Sequence, residues 1–525
     1  MPRQGPSAII QGMIGNALRA YRLGQPTEAE RLCRQILAID AHHADSLNLL
    51  GMLAFQTGRY ELAGERFQKA ISITHGGATY HSNLGAVLRA QGKLKDAAAW
   101  FERALALQPD LAEAHVNLGG VLHAQGRLDD AAAQCQQALA LKPELAEAHM
   151  NLGTVLHAQG KLHQALALCG RAVALKPGLA EAHHNLGRVL RSLGRSDEAL
   201  ACYGRALALQ PNYAQAHFSQ SLVQLLQADF SSGWRNYESR WQSEDHDTPR
   251  RAYPQPLWTG EPLHSGRLLI WGEQGVGDEI LFAGLIPDVI RTGNRCTLDC
   301  DARLKPLFVR SFPEVDVISG HRPDQASEFE IAAQLPSGSL PGLFRSTSAA
   351  FASTTSPYLI ADSVTRNRFR THYADGRRLA GLAWQTKSPK AGHSRSIDLS
   401  LLAPLFALPG IRWISLQYGD HDALQAQAAE AAAPILIDRT VDQLSNIDRF
   451  AAQVAAMDLV VTIDNSTAHL AGSLGIPAWV LLPFAPDWRW LETREDSPWY
   501  PTMRLFRQPG PEDWQSVVES VKAAL

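Results

Sequence analysis

Through the first 230 residues the apolar positions recur at helical spacing, and the whole pattern repeats every 34 residues. Leu-Gly pairs fall at Leu50-Gly51, Leu84-Gly85, Leu118-Gly119, Leu152-Gly153 and Leu186-Gly187. Alanines keep the same step at Ala29, Ala63, Ala97, Ala131, Ala165 and Ala199, as do Gly24, Gly58, Gly92, Gly126, Gly160 and Gly194. A last column is Pro109, Pro143, Pro177 and Pro211. Each unit predicts two helices. The first carries the Leu-Gly pair, where glycine admits a neighbouring helix. The second glycine breaks the chain into a turn, the alanine lies at a tight contact on the second helix, and proline stops that helix. No unit buries its apolar face alone, so about six units stack into an all-α superhelix over residues 10–213.

The period then changes. Strand candidates alternate with helical segments: the apolar run RLLIW (267–271), then CTLDC (296–300), VDVIS (315–319) and FEIAA (329–333). After residue 376 the pattern restarts with LAGLAWQ (379–385), RWISLQY (412–418), PILID (434–438), LVVTID (459–464) and AWVLLP (478–483), and closes on an amphipathic segment, EDWQSVVESVKAAL. Strands alternating with helices predict parallel sheets. Two such stretches predict two Rossmann-like lobes facing a cleft. The boundaries read as a tail over 1–9, an array over 10–241, a polar linker over 242–262, and lobes over 263–375 and 376–525. The aromatic density at Phe230, Trp234, Tyr237 and Trp241 predicts a packed junction that covers the last repeat.

The repeat unit resembles the tetratricopeptide repeat in period and small-residue pattern. Asn83, Asn117, Asn151 and Asn185 share one position beside the Leu-Gly pair. This column resembles the asparagine ladder with which O-GlcNAc transferase holds extended polypeptides, which implies a protein or peptide acceptor in the array's groove. An amide offers donor and acceptor at once, so it reads a backbone without demanding a sequence. The same amides could instead bond neighbouring repeats. His81, His115, His149, His183 and His217 form a second column, read as packing. They stand a whole repeat apart, too far to share one metal at bonds of about 2 Å.

Composition narrows the classes. The chain of 525 residues has 49 Lys plus Arg against 52 Asp plus Glu, a net charge of −3, which argues against a dedicated nucleic-acid or anionic-membrane binder. The six cysteines form no C-x-x-C pair and no zinc spacing, and read as buried thiols in a reducing compartment. No apolar run approaches a membrane span, and MPRQGPSAII has no leader pattern, so a soluble, cytoplasmic protein is expected.

Two strings carry chemistry. Gly272-Glu273-Gln274-Gly275-Val276-Gly277-Asp278-Glu279 links a strand to a helix, and Asp464-Asn465-Ser466-Thr467-Ala468-His469 does the same further on. A helix start offers free N–H groups and a positive dipole end, suited to a phosphate. Residues 265–525 resemble the two-lobed GT-B glycosyltransferases of the heptosyltransferase type. In that family a Gly-Asp pair opens the first helix and its Asp is the proposed base, which implies that role for Asp278 in Gly277-Asp278. The family's Asp-Thr-Gly-x-x-His binds the sugar nucleotide, and Asp464, Asn465, Ser466 and His469 stand in its place, with Asn for Thr and Ser for Gly. Joined to tetratricopeptide repeats, such lobes also resemble bacterial protein glycosyltransferases, including flagellin-modifying ones.

The resemblance implies an inverting, metal-independent transfer of a sugar from a nucleotide sugar to a protein. Gly275, Gly277, Lys387, Arg395, Gln417, Asp464, Asn465, Ser466, Thr467 and His469 are the expected donor-binding residues, and no cofactor or metal is called for. Glu273 and Glu279 are alternative bases, and Lys390 a further basic candidate. Asp487-Trp488-Arg489-Trp490 could stack on a sugar or pack between the lobes. Three Asp-x-Asp strings, at 245–247, 299–301 and 420–422, resemble the metal-binding pair of GT-A enzymes, but a two-lobed fold does not require them. A scaffold that binds a nucleotide or sugar without turnover, and an enzyme acting on a glycolipid, fit the same residues.

Overall fold

The computed structural model describes residues 6–74, 77–244, 246, 248–320, 330–354, 356–387 and 392–525. Asp245, Asp247, Phe329 and Lys390, named above, lie outside them. The chain divides into two compact units, Met1–Val189 and Leu190–Leu525.

In the first unit helices pair as the period predicts, for example Ala112–Ala124 with Leu128–Leu141 and Ala146–Ala158 with Leu162–Leu175. The columns acquire physical reasons. A Cβ on Gly119 would stand 2.7 Å from the Cys135 sulfur and one on Gly153 2.6 Å from that of Cys169, while Gly51 meets the Phe67 ring at 2.6 Å. The Leu-Gly glycine is therefore the seat of a second-helix side chain. The other glycine column, Gly24 to Gly194, sits at φ of +69° to +76°, a left-handed turn that side chains disfavour. The histidine column serves the proline column. His115, His149 and His183 place Nε2 at 3.0, 2.8 and 2.9 Å from the carbonyl oxygens of Pro109, Pro143 and Pro177. These rings tie the turn between units, as the packing reading has it.

The second unit begins within the sixth helix pair. Helices Ser196–Leu209, Ala214–Leu226 and Phe230–Tyr237 and the 3-10 turn Glu238–Gln242 precede two parallel sheets. The first sheet has β1 (Arg267–Trp271), β2 (Cys296–Cys300), β3 (Asp316–Ser319) and β4 (Ile331–Pro336), in the order β3-β2-β1-β4. The second has β5 (Arg378–Ala383), β6 (Ile411–Ser415), β7 (Ile435–Leu436), β8 (Leu459–Ile463), β9 (Ala478–Leu482) and β10 (Met503–Arg507), in the order β10-β9-β8-β5-β6-β7. Strand β8 is buried on both faces, which is why the run LVVTI is apolar but for Thr462. The edge strand β10, cut by Arg504, was announced by no such run.

One apolar core joins the two sheets and the preceding helices. Leu268, Ile270 and Leu335 of the first sheet share it with Val460, Val480 and Leu505 of the second, and with Phe218, Leu225, Phe230 and Trp234. A second core lies across the other face of the second sheet, where Trp384, Trp413 and Val461 meet Trp514 and Val521 of the last helix, Trp514–Ala524. The stretch read as a linker is no free tether. Tyr253 and Trp258 are buried, Trp258 N donates to Gln334 O at 2.9 Å, and Gln334 N donates to Pro256 O at 3.0 Å. Its aromatics outweigh its polar composition and lay it along β4.

Candidate functional site

Strand order reverses beside β1 in the first sheet and between β5 and β8 in the second. Ligands of α/β sheets bind at the carboxyl ends of strands at such points. The segments that leave β1, β5 and β8 carry Gly275–Asp278, Trp384–Lys387 and Asp464–His469, so the sequence candidates gather where the topology opens.

Helices Val276–Ala283 and Ser466–Ser473 begin against each other. A Cβ on Gly277 would lie 3.2 Å from His469 Cδ2 and 3.5 Å from Ser466 Cα. Where a cleft between lobes is expected, the two helix starts instead touch, and glycine at 277 permits it. Asp278 takes a capping position: its Oδ2 accepts the Gly275 N–H at 3.2 Å. Its Oδ1 pairs with Arg489 Nη2.

Arg489 starts a row of charges. Its Nη1 is 2.5 Å from Asp487 Oδ1, Asp487 Oδ2 is 3.3 Å from Arg395 Nη2, and Arg395 Nη1 is 3.0 Å from Asp464 Oδ2. Burial opposes the charge of Asp487, yet the guanidiniums of Arg489 and Arg395 hold its carboxyl down at about 2. At Asp464 burial wins and the carboxyl is raised above its ordinary range in spite of Arg395. His469 is pushed down to about 3, first by burial and then by Arg489, so the ring is neutral; its Nδ1 is 3.0 Å from Tyr500 Oη and it stacks on Trp490 at 5.3 Å. Arg489 was not singled out as a site residue, because its only signal was a place inside an aromatic cluster.

Asn465 caps the second helix start, with Oδ1 accepting the N–H groups of Thr467 at 2.9 Å and Ala468 at 3.3 Å. Its Nδ2 and Thr467 Oγ1 are buried polar groups without a partner among the described residues, although such groups are ordinarily paired. Gln417 is placed differently from the expectation that it meets a ligand. Its Oε1 accepts from Trp384 N at 2.9 Å and Gln385 N at 2.8 Å, while Nε2 donates to Gln385 O and Tyr418 O. The amide is spent on clamping the ends of β5 and β6. Lys387 leaves its side chain exposed and donates its backbone N–H to Tyr418 Oη at 2.8 Å.

Glu273 is no accessible base. Arg240 from the junction meets it through two hydrogen bonds, Nε to Oε2 at 2.9 Å and Nη2 to Oε1 at 2.8 Å, and both side chains are fully buried. Arg240 lies between the rings of Tyr237 and Trp241. Gln274 next to it holds φ of +66° and donates from Nε2 to Tyr237 Oη at 2.7 Å. The glycine loop is thus anchored by the chain that precedes it. Glu279 accepts from Asp301 N at 2.9 Å, and burial raises its carboxyl to about 7. Asp299 pairs with Arg251, Asp301 with Arg303 at 2.7 Å, and Asp420 caps a helix at Ala423 N. Trp488 packs edge-on to Trp234 at 5.2 Å, so in that cluster packing accounts for the tryptophans.

In the array the asparagine column is not uniform. Asn83 Nδ2 donates to Asn48 Oδ1 at 2.8 Å and Asn151 Nδ2 to Val116 O at 3.2 Å, each reaching the preceding repeat. Asn117 and Asn185 are half-buried. The Arg89 guanidinium lies 3.5 Å, and Asn151 Nδ2 3.6 Å, from where a Cβ on Gly120 would be, an addition that the asparagine pattern did not reveal.

The fold therefore defines a tetratricopeptide-repeat superhelix followed by an α/β domain of parallel sheets. Residues 42–110, 77–144 and 144–212 match the tetratricopeptide repeat family. Protein FlbA of Caulobacter vibrioides is 31% identical over 329 residues, covering 59% of this chain and 54% of that protein. The chain thus spans about half the length of this relative, and the matched share is more than the helical array alone supplies. Among solved structures, YrrB, described as a TPR protein with an unusual peptide-binding site, is 24% identical, with 36% of this chain and 98% of that one covered at a TM-score of 0.28. Pseudomonas aeruginosa pilF is 19% identical, with 42% and 99% covered at 0.36.

Proposed function

We propose that the α/β unit is a GT-B glycosyltransferase and that the repeats present its protein acceptor, flagellin being one candidate. The observation that carries this reading is the meeting of two helix starts at the strand-order reversals, with Asp278 on one and, on the other, Asn465 Nδ2 and Thr467 Oγ1, unpartnered among the described residues. The positive helix ends, the buried Asn465 amide and the guanidiniums at such a point suit a nucleotide-sugar phosphate. In the reaction the acceptor hydroxyl oxygen bonds to the anomeric carbon and its proton passes to Asp278. The sugar–phosphate C–O bond breaks, and its electron pair leaves with the nucleotide. The positive end of the 466–473 helix, the Asn465 amide and a guanidinium of the charge row stabilise that charge, and no metal is required. Asn117, Asn185 and Arg89 contact the acceptor.

A second reading, a scaffold that binds a nucleotide or sugar without turnover, is favoured by the pairing of Asp278 with Arg489 and by its capping role. Purified full-length chain incubated with a panel of nucleotide sugars and cell protein separates the two. Transfer detected by mass spectrometry in the native protein, and lost by at least a hundredfold in folded Asp278→Asn, is the result expected of the enzyme. Selective thermal stabilisation by a donor, lost in Asp464→Ala and accompanied by no transfer, would establish the scaffold.

A further inference from the structure

The row Asp278, Arg489, Asp487, Arg395, Asp464 sets three carboxyl groups against two guanidiniums, so neither guanidinium is without an acidic partner. An incoming phosphate adds more negative charge. It can be held only if a carboxylate gives up its guanidinium, and the two ends of the row differ in what that costs. At one end the Asp464 side chain is 3% exposed, and stripping Arg395 from it would leave a buried carboxyl with no cation. At the other end Asp278 is 20% exposed and already has a second partner in the Gly275 N–H. Arg489 also rests on a firm base: its guanidinium lies 4.4 Å over Trp488, which is wedged between Trp234 and Trp499. Leu491, just beyond, takes φ of +55°.

We propose that Arg489 is an exchange residue, which is paired with Asp278 in this structure and is taken from it by the phosphate of a bound nucleotide. The exchange frees the Asp278 carboxylate at the moment the donor is in place. This rests on the reading that a nucleotide occupies the start of the Ser466–Ser473 helix.

The test is a double-mutant cycle read by calorimetric binding on the full-length chain, with UDP, GDP, CDP, CMP and inorganic pyrophosphate as probes at low salt. Asp278→Asn should bind the preferred probe about tenfold more tightly than the native chain, because the competing carboxylate is gone, and Arg489→Ala about tenfold more weakly. In the Arg489→Ala background, Asp278→Asn should change affinity by less than about twofold. Arg489→Lys keeps the charge without the two-sided bridge and should fall between; with circular dichroism it guards against a misfolded alanine variant. Absence of tightening in Asp278→Asn overturns the exchange, and so does tightening that persists undiminished without Arg489. Both outcomes leave the nucleotide site standing. Failure of every probe to bind any folded variant overturns the site along with the exchange.

Discussion

The unit Met1–Val189 and the unit Leu190–Leu525 are stabilised by contacts of different reach. In the first, a glycine and the side chain seated on it are 16 residues apart, as at Gly119 and Cys135, and the same pair recurs every 34 residues. In the second, Arg489 and Asp278 are 211 positions apart and Trp234 Nε1 donates to Arg345 O across 111. Repetition distributes stability over many equivalent small contacts, whereas the α/β unit concentrates it in a few places that nothing duplicates. Substitutions should therefore be severe and cooperative in one unit and mild and local in the other.

The largest effect should come from Glu273→Ala, which takes from Arg240 its fully buried carboxylate and leaves it only the half-exposed Glu238, and should cost about 3–5 kcal/mol. Urea unfolding followed by tryptophan fluorescence would measure it, and a loss below about 1 kcal/mol would contradict the concentration of stability in the α/β unit. Trp234→Ala removes a buried indole packed on Tyr237, Trp488 and Trp499 and should also cost about 3–5 kcal/mol. Hydrogen exchange should then rise throughout 190–525 and stay unchanged in 44–158.

A pH effect comes next. The Glu279 carboxyl is raised to about 7, above its usual value, so the folded state binds this proton more tightly than the unfolded chain does. Its contribution is fully present below the unfolded value and is lost as pH rises through about 7. Native protein should lose more stability between pH 5 and 8 than Glu279→Gln does; identical slopes would refute the assignment.

Smaller changes belong to the array. Gly119→Ala puts a methyl against the Cys135 sulfur and should cost about 1–3 kcal/mol, with most of it recovered in Gly119→Ala/Cys135→Ala. Gly126→Ala has open space around it but φ of +76°, so the cost is backbone strain alone, about 1–2 kcal/mol, with no rescue from any neighbour. A rescue at 126, or none at 119, would undo the distinction between the two glycine columns.

The sequence made the local features legible. Strand β1 coincides with RLLIW, because a parallel strand buried on both faces reads as an apolar run, and β2 coincides with CTLDC although Thr297 and Asp299 within it are buried polar residues. The histidines were legible as packing, though not as partners of the prolines six residues earlier. Of the site, the helix starts at Gly275–Asp278 and Asp464–His469 were legible from their capping residues and glycines. Arg489, Arg240 and the clamp made by Gln417 were not, since a charged or amide side chain carries no mark of the partner it will find.

By itself the sequence determined the period of 34, the helix pairs, the left-handed turns and most strands, all of which depend on neighbours within a few dozen residues. Only the tertiary structure decided that the two helix starts touch at Gly277, that Asp278 answers to Arg489, and that the polar stretch before β1 is strapped to β4. The physical reason is that periodicity and capping report which side of an element is buried and where it begins. The pairing of buried charges depends on which distant strand ends the chain brings together, and neither period nor composition encodes that.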